Sequence, residues 1–333
     1  MSQTAVGVAL IGSGSAVPAT VLSNDDLARA VDTSDDWIRT RTGIRQRRLI
    51  EGEESLSSLA IRAGAQAIAA AGIEARDIDL ILLATSTPDD LFGSAGAVQA
   101  GLNAPRAVAF DLTAACSGFL FGLVTAAQFI RSGTYRTVLL IGADVLSRWT
   151  DWSDRRTCVL FGDGAGAVVL QANSEERLLA HEMRSDGSLN GCLTLGYQGE
   201  PRALPGNAVT VQQGGYRSVA MNGQEVYKFA VRRVPEILDK VLHRAEVDPE
   251  QVDWLLLHQA NQRILDAVAS RFGIPNDKVL SNLAHYGNTS AATIPLMLDE
   301  AVRDGRVKAG DLVAASGFGA GLSWGAALFR WGV

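Results

Sequence analysis

Short, uninterrupted apolar runs alternate along the chain with longer segments whose apolar residues recur every three or four positions. The runs lie at residues 80–84, 138–141, 255–257 and 313–315. An apolar run of this length is typical of a strand that is buried on both faces, as in a mainly parallel sheet. Spacing by three and four is typical of an amphipathic helix. The pattern therefore predicts an α/β protein whose helices cover both faces of its sheets.

The same order of elements occurs twice along the chain. A helix end, a strand, a polar loop, a helix and a second strand follow one another in each half, and Asp79 and Asp253 precede equivalent strands 174 positions apart. Such self-similarity is the sequence signature of an internal repeat. We interpret the chain as two similar α/β halves, residues 1–173 and 174–333, that pack against each other.

Two loops of small residues open helices at corresponding places in these halves. Cys116 lies in the first loop and Asn288 in the second, 172 positions apart and so close to the general offset. Ligands of open α/β sheets bind beyond the carboxyl ends of the strands. We therefore expect loops from both halves to meet at one shared site.

Composition and charge exclude several classes of protein. The net charge of −6 argues against nucleic acid as a partner. The N-terminal segment lacks the basic region and long apolar run of a secretory signal, and no apolar stretch approaches the ~20 residues of a membrane span. The three cysteines are an odd number without CxxC spacing. We expect a reduced, soluble, cytoplasmic protein that does not bind membranes.

Cys116 has two interpretations. Free cysteine is among the most buried residue types, so the first is a small core residue. In the second it is a nucleophile, because a thiol at a helix N-terminus has its pKa lowered by the helix dipole. The helix after Cys116 ends near Gly133, and small residues beside the cysteine leave room for a substrate. The residues alone leave both interpretations open.

Of the four histidines, His258 is placed to do chemistry. It ends a buried strand, and Asn261 after it is a candidate N-cap of the next helix. A histidine there can exchange a proton in a cleft, or simply bond to a loop carbonyl. We expect His181 and His243 to lie at the surface. No spacing of histidines and carboxylates indicates a metal site.

Three glycine-rich segments have competing interpretations. Residues 316–325 either aim backbone N–H groups at a developing negative oxygen or form a tight turn between strands. Residues 11–18 do not match GxGxxG, and Pro18 argues against a dinucleotide site. Residues 161–170 are predicted to turn into a buried strand.

Five arginines lie within residues 39–48, just after Trp37. In an acidic protein this segment is either an anion site or a solvated charged loop. An adenine nucleotide would use both the aromatic ring and the positive charges.

Six segments resemble one family, in its order and over the whole chain. They are VDTSDDWIRTRTGIRQR, AACSGF, FGDGAGA, HQAN, HYGNTSAA and DEAVRDGR. The chain resembles the beta-ketoacyl-acyl carrier protein synthase III family of thiolase-like condensing enzymes. The resemblance implies a thiolase-like fold, in which two pseudo-duplicated halves form an αβαβα layering.

The resemblance also implies roles for individual residues. Cys116 would be the acylated nucleophile, and His258 and Asn288 would complete a catalytic triad. The other implied roles are coenzyme A contacts at Trp37, Arg41, Arg155, Gln224 and Asn261, carrier-protein contacts at Lys228, Arg263 and Arg271, acyl-pocket contacts at Phe92 and Phe318, and an oxyanion hole from the backbone N–H groups of Cys116 and Ala320. Phe92 would reach into the pocket of a partner subunit, which implies a homodimer. Two positions depart from the family: Ala320 replaces a glycine and Gln224 replaces a shorter amide.

The function implied is the condensation of an acyl-coenzyme A primer, with acetyl-coenzyme A expected, and malonyl-acyl carrier protein. The products are 3-ketoacyl-acyl carrier protein, carbon dioxide and coenzyme A, which initiates fatty acid synthesis without a metal or redox cofactor. Two alternatives stay open: a family member diverted to starter-unit, O- or N-acyl transfer in secondary metabolism, and a silent coenzyme A-binding scaffold subunit. Ser316 stands where a degradative thiolase would need a second cysteine, which disfavours that enzyme.

Overall fold

The computed structural model describes residues 6–206 and 208–333. The strands of this part are β1 Gly7–Ala16, β2 Val21–Ser23, β3 Gln46–Arg48, β4 Leu80–Ala84, β5 Val108–Leu112, β6 Thr137–Val145, β7 Asp163–Asn173, β8 Leu178–Ser185, β9 Leu193–Thr194, β10 Tyr197–Ala203, β11 Thr210–Tyr216, β12 Ala220–Met221, β13 Trp254–Leu257, β14 Val279–Leu280, β15 Leu312–Gly319 and β16 Ser323–Arg330. The α-helices are α1 Asn24–Leu27, α2 Asp35–Thr42, α3 Leu56–Ala70, α4 Ala95–Gly101, α5 Gly118–Arg131, α6 Gly223–Arg244, α7 Gln262–Phe272, α8 Leu283–Tyr286 and α9 Thr293–Arg303.

Two five-stranded sheets share one topology. The first has the order β5-β4-β6-β7-β1 and the second β14-β13-β15-β16-β8. Counted within its own half, each sheet reads 3-2-4-5-1. One strand in each sheet, β7 or β16, runs antiparallel to the other four. The prediction of two similar halves with mainly parallel sheets is confirmed.

The division that we propose after residue 173 falls between β7 and β8. All strands of the first sheet lie before that point and all strands of the second lie after it. Residues 1–5, which we assign to the first half, lie outside the described residues.

Asp79 and Asp253 make equivalent hydrogen bonds in the two halves, each to the backbone at the start of a neighbouring strand. An Oδ2 atom of Asp79 accepts hydrogen bonds from the backbone N–H groups of Arg136 and Thr137, at 2.9 and 3.1 Å. The Oδ2 atom of Asp253 accepts from the N–H of Leu312 at 2.8 Å. Each carboxylate thereby fixes the register of two neighbouring parallel strands at their amino ends, which explains why the sequence repeats an aspartate there.

The layers follow from the alternation of side chains along each buried strand. Leu80 and Leu82 of β4 belong to the buried cluster that contains α5 and α9, between the two sheets. Ile81 and Leu83 belong to the cluster that contains α3 and α4, on the outside. In the second half, α6 and α7 cover the outer face of the sheet. The αβαβα layering is therefore confirmed. In the described part of the chain, no helix is both long and apolar enough to cross a bilayer.

Glycines in β1 and β7 allow helices to approach the sheet closely. A Cβ atom on Gly14 would lie 2.3 Å from the carbonyl oxygen of Ala63 in α3, and one on Gly166 would lie 2.4 Å from the backbone nitrogen of Leu296 in α9. Gly12 and Gly14, from the glycine-rich residues 11–18, thus allow α3 to pack closely against strand β1. Residues 163–173 form the buried strand predicted for that segment.

Candidate active site

Cys116 lies in the 3-10 turn Ala115–Ser117 between β5 and α5. The turn is fixed from the second half, because the hydroxyl of Ser117 bonds to that of Ser323 at 2.7 Å. The Cys116 side chain is 7% exposed, and its Sγ lies 3.3 Å from the Oγ of Ser290. The cysteine is thus held at the junction of the two halves, beyond the carboxyl end of a strand.

The acidity of Cys116 differs from the sequence-based expectation. Burial raises the pKa of the Cys116 thiol to about 12, although the hydrogen bond with Ser290 acts to lower it. The expectation of a lowered pKa was wrong, because burial raises the pKa of the thiol more than its hydrogen bonds lower it. The thiol is protonated at neutral pH, so it must lose its proton as it attacks a substrate.

His258 follows the last residue of β13 and is 2% exposed. Its backbone N–H donates to the carbonyl of Ser316, and its Nδ1 lies 2.7 Å from the Oγ1 of Thr293. The side chain therefore bonds to a hydroxyl rather than to a loop carbonyl. Burial lowers the pKa of His258 to about 3, so the imidazole is neutral at physiological pH. The ring of Phe318 meets it edge-on, with centroids 5.4 Å apart.

Asn288 is anchored to the first half of the chain. Its backbone N–H donates to the carbonyl of Leu160 at 2.9 Å, and the N–H of Gly162 donates to the carbonyl of Asn288 at 3.1 Å. Its Oδ1 accepts from the N–H of Ser290 at 2.8 Å. The side chain therefore caps the turn that precedes α9. With Oδ1 occupied, the two N–H groups of the amide remain as donors.

Ser290 contacts both Cys116 and Asn288, and its backbone has a positive φ angle. Its φ of 52° is in the left-handed region, and Ala115 in the first half has a φ of 47°. These residues are counterparts in the two halves, 175 positions apart. Cys116 and Asn288 are therefore not at strictly equivalent positions. Cys116 lies one residue after the left-handed residue of its half, Ala115, whereas Asn288 lies two residues before the left-handed residue of its half, Ser290.

Asp144 is a buried carboxylate that our sequence analysis missed. Its Oδ1 accepts hydrogen bonds from the hydroxyls of Thr85 and Thr87 and from the N–H of Ser86, and its Oδ2 accepts from the N–H of Ala291 at 3.1 Å. Burial raises the pKa of this carboxyl. A lone acidic residue near the end of the apolar run of β6 was the available signal.

The turn between β15 and β16 lies against the nucleophile loop. A Cβ atom on Gly319 would lie 2.6 Å from the backbone nitrogen of Cys116. The segment is a strand-to-strand turn, in which Gly319 of β15 pairs with Ser323 of β16. Both sequence-based interpretations of residues 316–325 are thus compatible with the structure.

Four of the five residues assigned to coenzyme A gather at one place. The guanidinium of Arg41 lies 4.5 Å and that of Arg155 lies 5.3 Å from the ring of Trp37. The Nδ2 of Asn261, the N-cap of α7, donates to the carbonyl of Arg41 at 3.1 Å. Gln224 is exposed in the first turn of α6, and the described contacts do not join it to this cluster.

The five arginines of residues 39–48 do not form a single anion site. Arg47 is fully buried and donates to the backbone carbonyls of Leu22 and Val159 and to the side chain of Asn24. Burial lowers its pKa to about 10. The interpretation of this segment as one anion site is therefore wrong for Arg47, because this cation cross-links loops inside the protein.

The three residues assigned to carrier-protein binding are exposed on two adjacent helices. Lys228 lies on α6, where it pairs with Glu225, and Arg263 and Arg271 lie on α7, which packs against α6. Arg263 also donates to the carbonyl of Thr40 in α2 at 3.3 Å. This basic surface adjoins the helix that carries Trp37.

Phe92 is fully exposed, beside exposed Leu91. The nearby strand β5 is the edge of the first sheet, and its side chains Val108 and Phe110 are also exposed. These four side chains form an exposed apolar patch beside the edge of the first sheet. It is separate from the buried Phe318, which contacts His258.

The remaining histidines and cysteines lie outside the site. His181 lies on β8, half buried and 3.4 Å from a guanidinium nitrogen of Arg131, so the expectation of a surface residue was wrong for it. His243 is exposed in the last turn of α6, as expected. Cys158 and Cys192 form no disulfide within the described part. No group of three or more metal-ligating side chains occurs among residues 6–206 and 208–333.

Comparison with protein families identifies two matching segments. Residues 110–187 match the family model described as 3-oxoacyl-[acyl-carrier-protein] synthase III, and residues 242–331 match the model of its C-terminal part. The first match contains the Cys116 loop, and the second contains His258 and the Asn288 loop.

Curated relatives and solved structures match over nearly the whole chain. The beta-ketoacyl-[acyl-carrier-protein] synthase III of Synechococcus elongatus is 72% identical over 333 residues, covering 100% of this chain and 99% of that protein. The protein of the same name from a Nostoc species is 68% identical, over 98% and 99% of the two chains. The crystal structure of 3-oxoacyl-[acyl-carrier-protein] synthase III from Aquifex aeolicus has a TM-score of 0.89 and 44% identity, over 98% and 100% of the chains.

Proposed function

From the membership of this chain in the 3-oxoacyl-[acyl-carrier-protein] synthase III family, we propose that it condenses an acyl-coenzyme A primer with malonyl-acyl carrier protein. Acetyl-coenzyme A is the expected primer, and the products are 3-ketoacyl-acyl carrier protein, carbon dioxide and coenzyme A. The observation that carries the proposal is the convergence of the Cys116, His258 and Asn288 loops from the two halves of the chain.

In the first half-reaction, the sulfur of Cys116 attacks the thioester carbonyl of the primer. A bond forms between the sulfur of Cys116 and the acyl carbon as the old thioester bond breaks, and coenzyme A leaves as its free thiol, whose sulfur takes up the proton that the Cys116 thiol gives up. The backbone N–H groups of Cys116 and Ala320 are our candidates for holding the tetrahedral oxyanion, supported by the close approach of Gly319 to Cys116. The product is an acyl-enzyme.

In the second half-reaction, the malonyl group loses carbon dioxide, and the electron pair moves to the thioester oxygen. An N–H of His258 and an N–H of Asn288 would donate to that oxygen, each worth on the order of 3 kcal/mol in comparable oxyanion sites. Both side chains are buried, which keeps water from protonating the carbanion. The enolate carbon then attacks the acyl group and expels the sulfur of Cys116.

The two substrates would use different surfaces. Trp37, flanked by the guanidinium groups of Arg41 and Arg155, suits an adenine ring with phosphates beside it. Asn261 and Gln224 complete this proposed coenzyme A site. The basic surface of Lys228, Arg263 and Arg271 suits an acidic carrier protein that delivers its arm past the same entrance.

We also propose a homodimer built on the β5 edge. The outer side of β5 pairs with no strand in the described part of the chain, and Val108, Phe110, Leu91 and Phe92 expose apolar surface there. Unpaired edges with apolar side chains are natural sites of strand pairing between chains. Phe92 would then reach the acyl pocket of the second subunit, next to Phe318.

Neither half-reaction changes an oxidation state, so the substrates suffice without a metal or redox cofactor. We propose a cytoplasmic enzyme, with neither nucleic acid nor membrane as a partner, in agreement with its acidic charge.

The test is to incubate the purified protein with acetyl-coenzyme A and malonyl-acyl carrier protein. The expected results are an acetyl mass shift on the peptide that contains Cys116 and formation of acetoacetyl-acyl carrier protein. Acylation without carbon–carbon bond formation would support a diverted O- or N-acyltransferase instead. Binding of coenzyme A with no acylation at all would indicate a silent scaffold and overturn the proposal.

A further inference from the structure

A buried hydroxyl, that of Thr293, is bonded to the imidazole of His258. Thr293 is the first residue of α9, it is 2% exposed, and its Oγ1 lies 2.7 Å from Nδ1. Thr293 takes no part in the two half-reactions described above. The contact matters because a neutral imidazole carries its proton on one nitrogen only, and the partner of the other nitrogen selects which.

The Thr293 hydroxyl has one proton and two possible acceptors. One acceptor is Nδ1 of His258, at 2.7 Å, and the other is the carbonyl oxygen of Ser290, at 3.1 Å. That carbonyl already accepts the backbone N–H of Thr293, which closes the turn before α9. In the described residues, Nδ1 has no other hydrogen-bond partner. The shorter contact, together with a Ser290 carbonyl that already accepts a backbone N–H, favours donation from the hydroxyl to Nδ1.

We propose that Thr293 is a positioning residue: its hydroxyl donates to Nδ1 of His258 and so keeps the imidazole proton on Nε2. This inference rests on the proposed function, because it supplies the N–H that His258 needs in the second half-reaction. With the proton on Nδ1 instead, Nε2 would present a lone pair to the thioester oxygen, and the two acceptors would repel each other.

The proposed contact needs no transfer of a proton to or from Thr293. When the malonyl carbon–carboxylate bond breaks, its electron pair moves to the thioester oxygen, which accepts from Nε2–H of His258 and from Asn288. The electron pair of the enolate then forms the new carbon–carbon bond to the acyl carbonyl carbon. The bond between that carbon and the sulfur of Cys116 breaks, and the sulfur leaves with the bonding electrons. Throughout this sequence the Nε2 proton stays in place, held there by the hydrogen bond at Nδ1.

Two substitutions separate the hydroxyl from the bulk of the side chain. Thr293→Val keeps the shape and removes the donor, whereas Thr293→Ser keeps the donor and removes a methyl group. In Thr293→Val we expect malonyl decarboxylation and kcat of condensation to fall about 10- to 100-fold. The rate of acylation by acetyl-coenzyme A and the KM for it should change less than threefold. Thr293→Ser should restore most of the rate.

The decisive measurement does not depend on activity. Nitrogen-15 NMR of the deuterated, histidine-labelled full chain distinguishes protonated from unprotonated ring nitrogens, and His258→Gln identifies the signals of His258. We expect a neutral ring with its proton on Nε2 in the wild type and in Thr293→Ser, and a shift of the population toward Nδ1–H in Thr293→Val.

A wild-type ring protonated on Nδ1 would overturn the inference, even in an enzyme that condenses its substrates normally. The wild-type spectrum decides this point even if Thr293→Val does not fold. Equal losses of acylation and decarboxylation in a folded Thr293→Val would also contradict it, since a merely structural role affects both. Failure of the proposed function would look different: the Nε2 proton would be present, and no condensation would occur with any variant.

Discussion

The Sγ of Cys116 lies 3.3 Å from the Oγ of Ser290, and this contact joins the two halves of the chain at the proposed nucleophile. The Ser290 hydroxyl can donate a hydrogen bond to the thiolate form of Cys116 and so stabilise it. It therefore acts to lower the pKa of the Cys116 thiol, which burial raises to about 12. The reactivity of the free cysteine thus depends on one residue from the opposite half.

Ser290→Ala should therefore make Cys116 less reactive. Loss of the hydroxyl removes a stabiliser of the thiolate, and we expect the alkylation rate with iodoacetamide to fall about 3- to 10-fold at any pH below 12. The rate should rise about tenfold per pH unit in both proteins, because only the thiolate reacts. Peptide mass spectrometry reports modification of Cys116 separately from Cys158 and Cys192. Faster alkylation in the variant would contradict this role of the hydroxyl.

Cys116→Ala should abolish the acyl-enzyme. Acetyl-coenzyme A should add an acetyl mass to the wild-type protein and none to the variant, as measured by intact-mass spectrometry. Cys192→Ala is the matched control, because Cys192 is a half-buried cysteine outside the site, and it should acylate like the wild type. An acetyl adduct on Cys116→Ala would show that another residue is the nucleophile.

His258 should make the folded protein sensitive to acid. Its pKa is lowered from 6.5 in an open chain to about 3 by burial, so the unfolded chain binds a proton that the folded one excludes. The stability that this group contributes is present above pH 6.5 and is lost as the pH falls toward 3. Between pH 7 and pH 5, the loss from this group is about 2 kcal/mol.

Urea unfolding at these two pH values measures that loss. The free energy of unfolding of His258→Leu should fall by about 2 kcal/mol less than that of the wild type over the interval. His243→Leu, which changes an exposed histidine, is the control and should behave like the wild type. An identical pH dependence in all three proteins would mean that His258 is not held neutral by the fold.

The architecture could be predicted from the sequence because it follows from the alternation of buried apolar strands with amphipathic helices along the chain. Leu80 to Ala84 are apolar without interruption because both faces of β4 are covered, and the repeated Asp79 and Asp253 reveal the doubled unit. The resemblance of the quoted segments then indicated which loops converge. These features are local in the sequence or repeat at a fixed offset.

Features that depend on the surroundings could not be predicted in this way. The helix dipole predicted a lowered pKa for Cys116, but the burial that raises this pKa cannot be seen in the sequence. Likewise, the cluster of arginines does not show that Arg47 is buried inside the protein. Asp144 and Thr293 lie just after the apolar run 138–141 and the segment HYGNTSAA, but their partners are far away in the chain. Pairing across the two halves is visible only in three dimensions.

Asn288→Ala should separate the two half-reactions. The substitution removes an N–H donor to the thioester oxygen of the malonyl group, and we expect decarboxylation to slow about 100-fold or more. The rate of acylation should change little, since Asn288 does not touch Cys116 in the described contacts. Stopped-flow acylation with acetyl-coenzyme A and carbon dioxide release from malonyl-acyl carrier protein measure the two steps. Equal damage to both steps would count against the assigned role.

Arg263→Glu should weaken the use of the carrier protein and leave the primer unaffected. Reversing this exposed charge on α7 replaces attraction to an acidic partner by repulsion, so the KM for malonyl-acyl carrier protein should rise about 10-fold, most strongly at low salt. The KM for acetyl-coenzyme A should stay within a factor of two. Arg76→Glu, an exposed substitution in the other half, is the control. An unchanged KM would remove Arg263 from the docking surface.

Phe110→Glu should weaken the homodimer that we propose on the β5 edge. Phe110 is 39% exposed in the isolated chain, and burying a new carboxylate against a second subunit costs several kcal/mol unless the charge is paired. Sedimentation should show a species near 35.2 kDa, the mass of one chain, and the wild type should sediment at twice that mass. Val21→Glu is the matched control, because Val21 is 42% exposed on β2, away from this edge. A dimeric Phe110→Glu protein would place the subunit contact elsewhere, and Phe92 would then have no route to the acyl pocket of a partner.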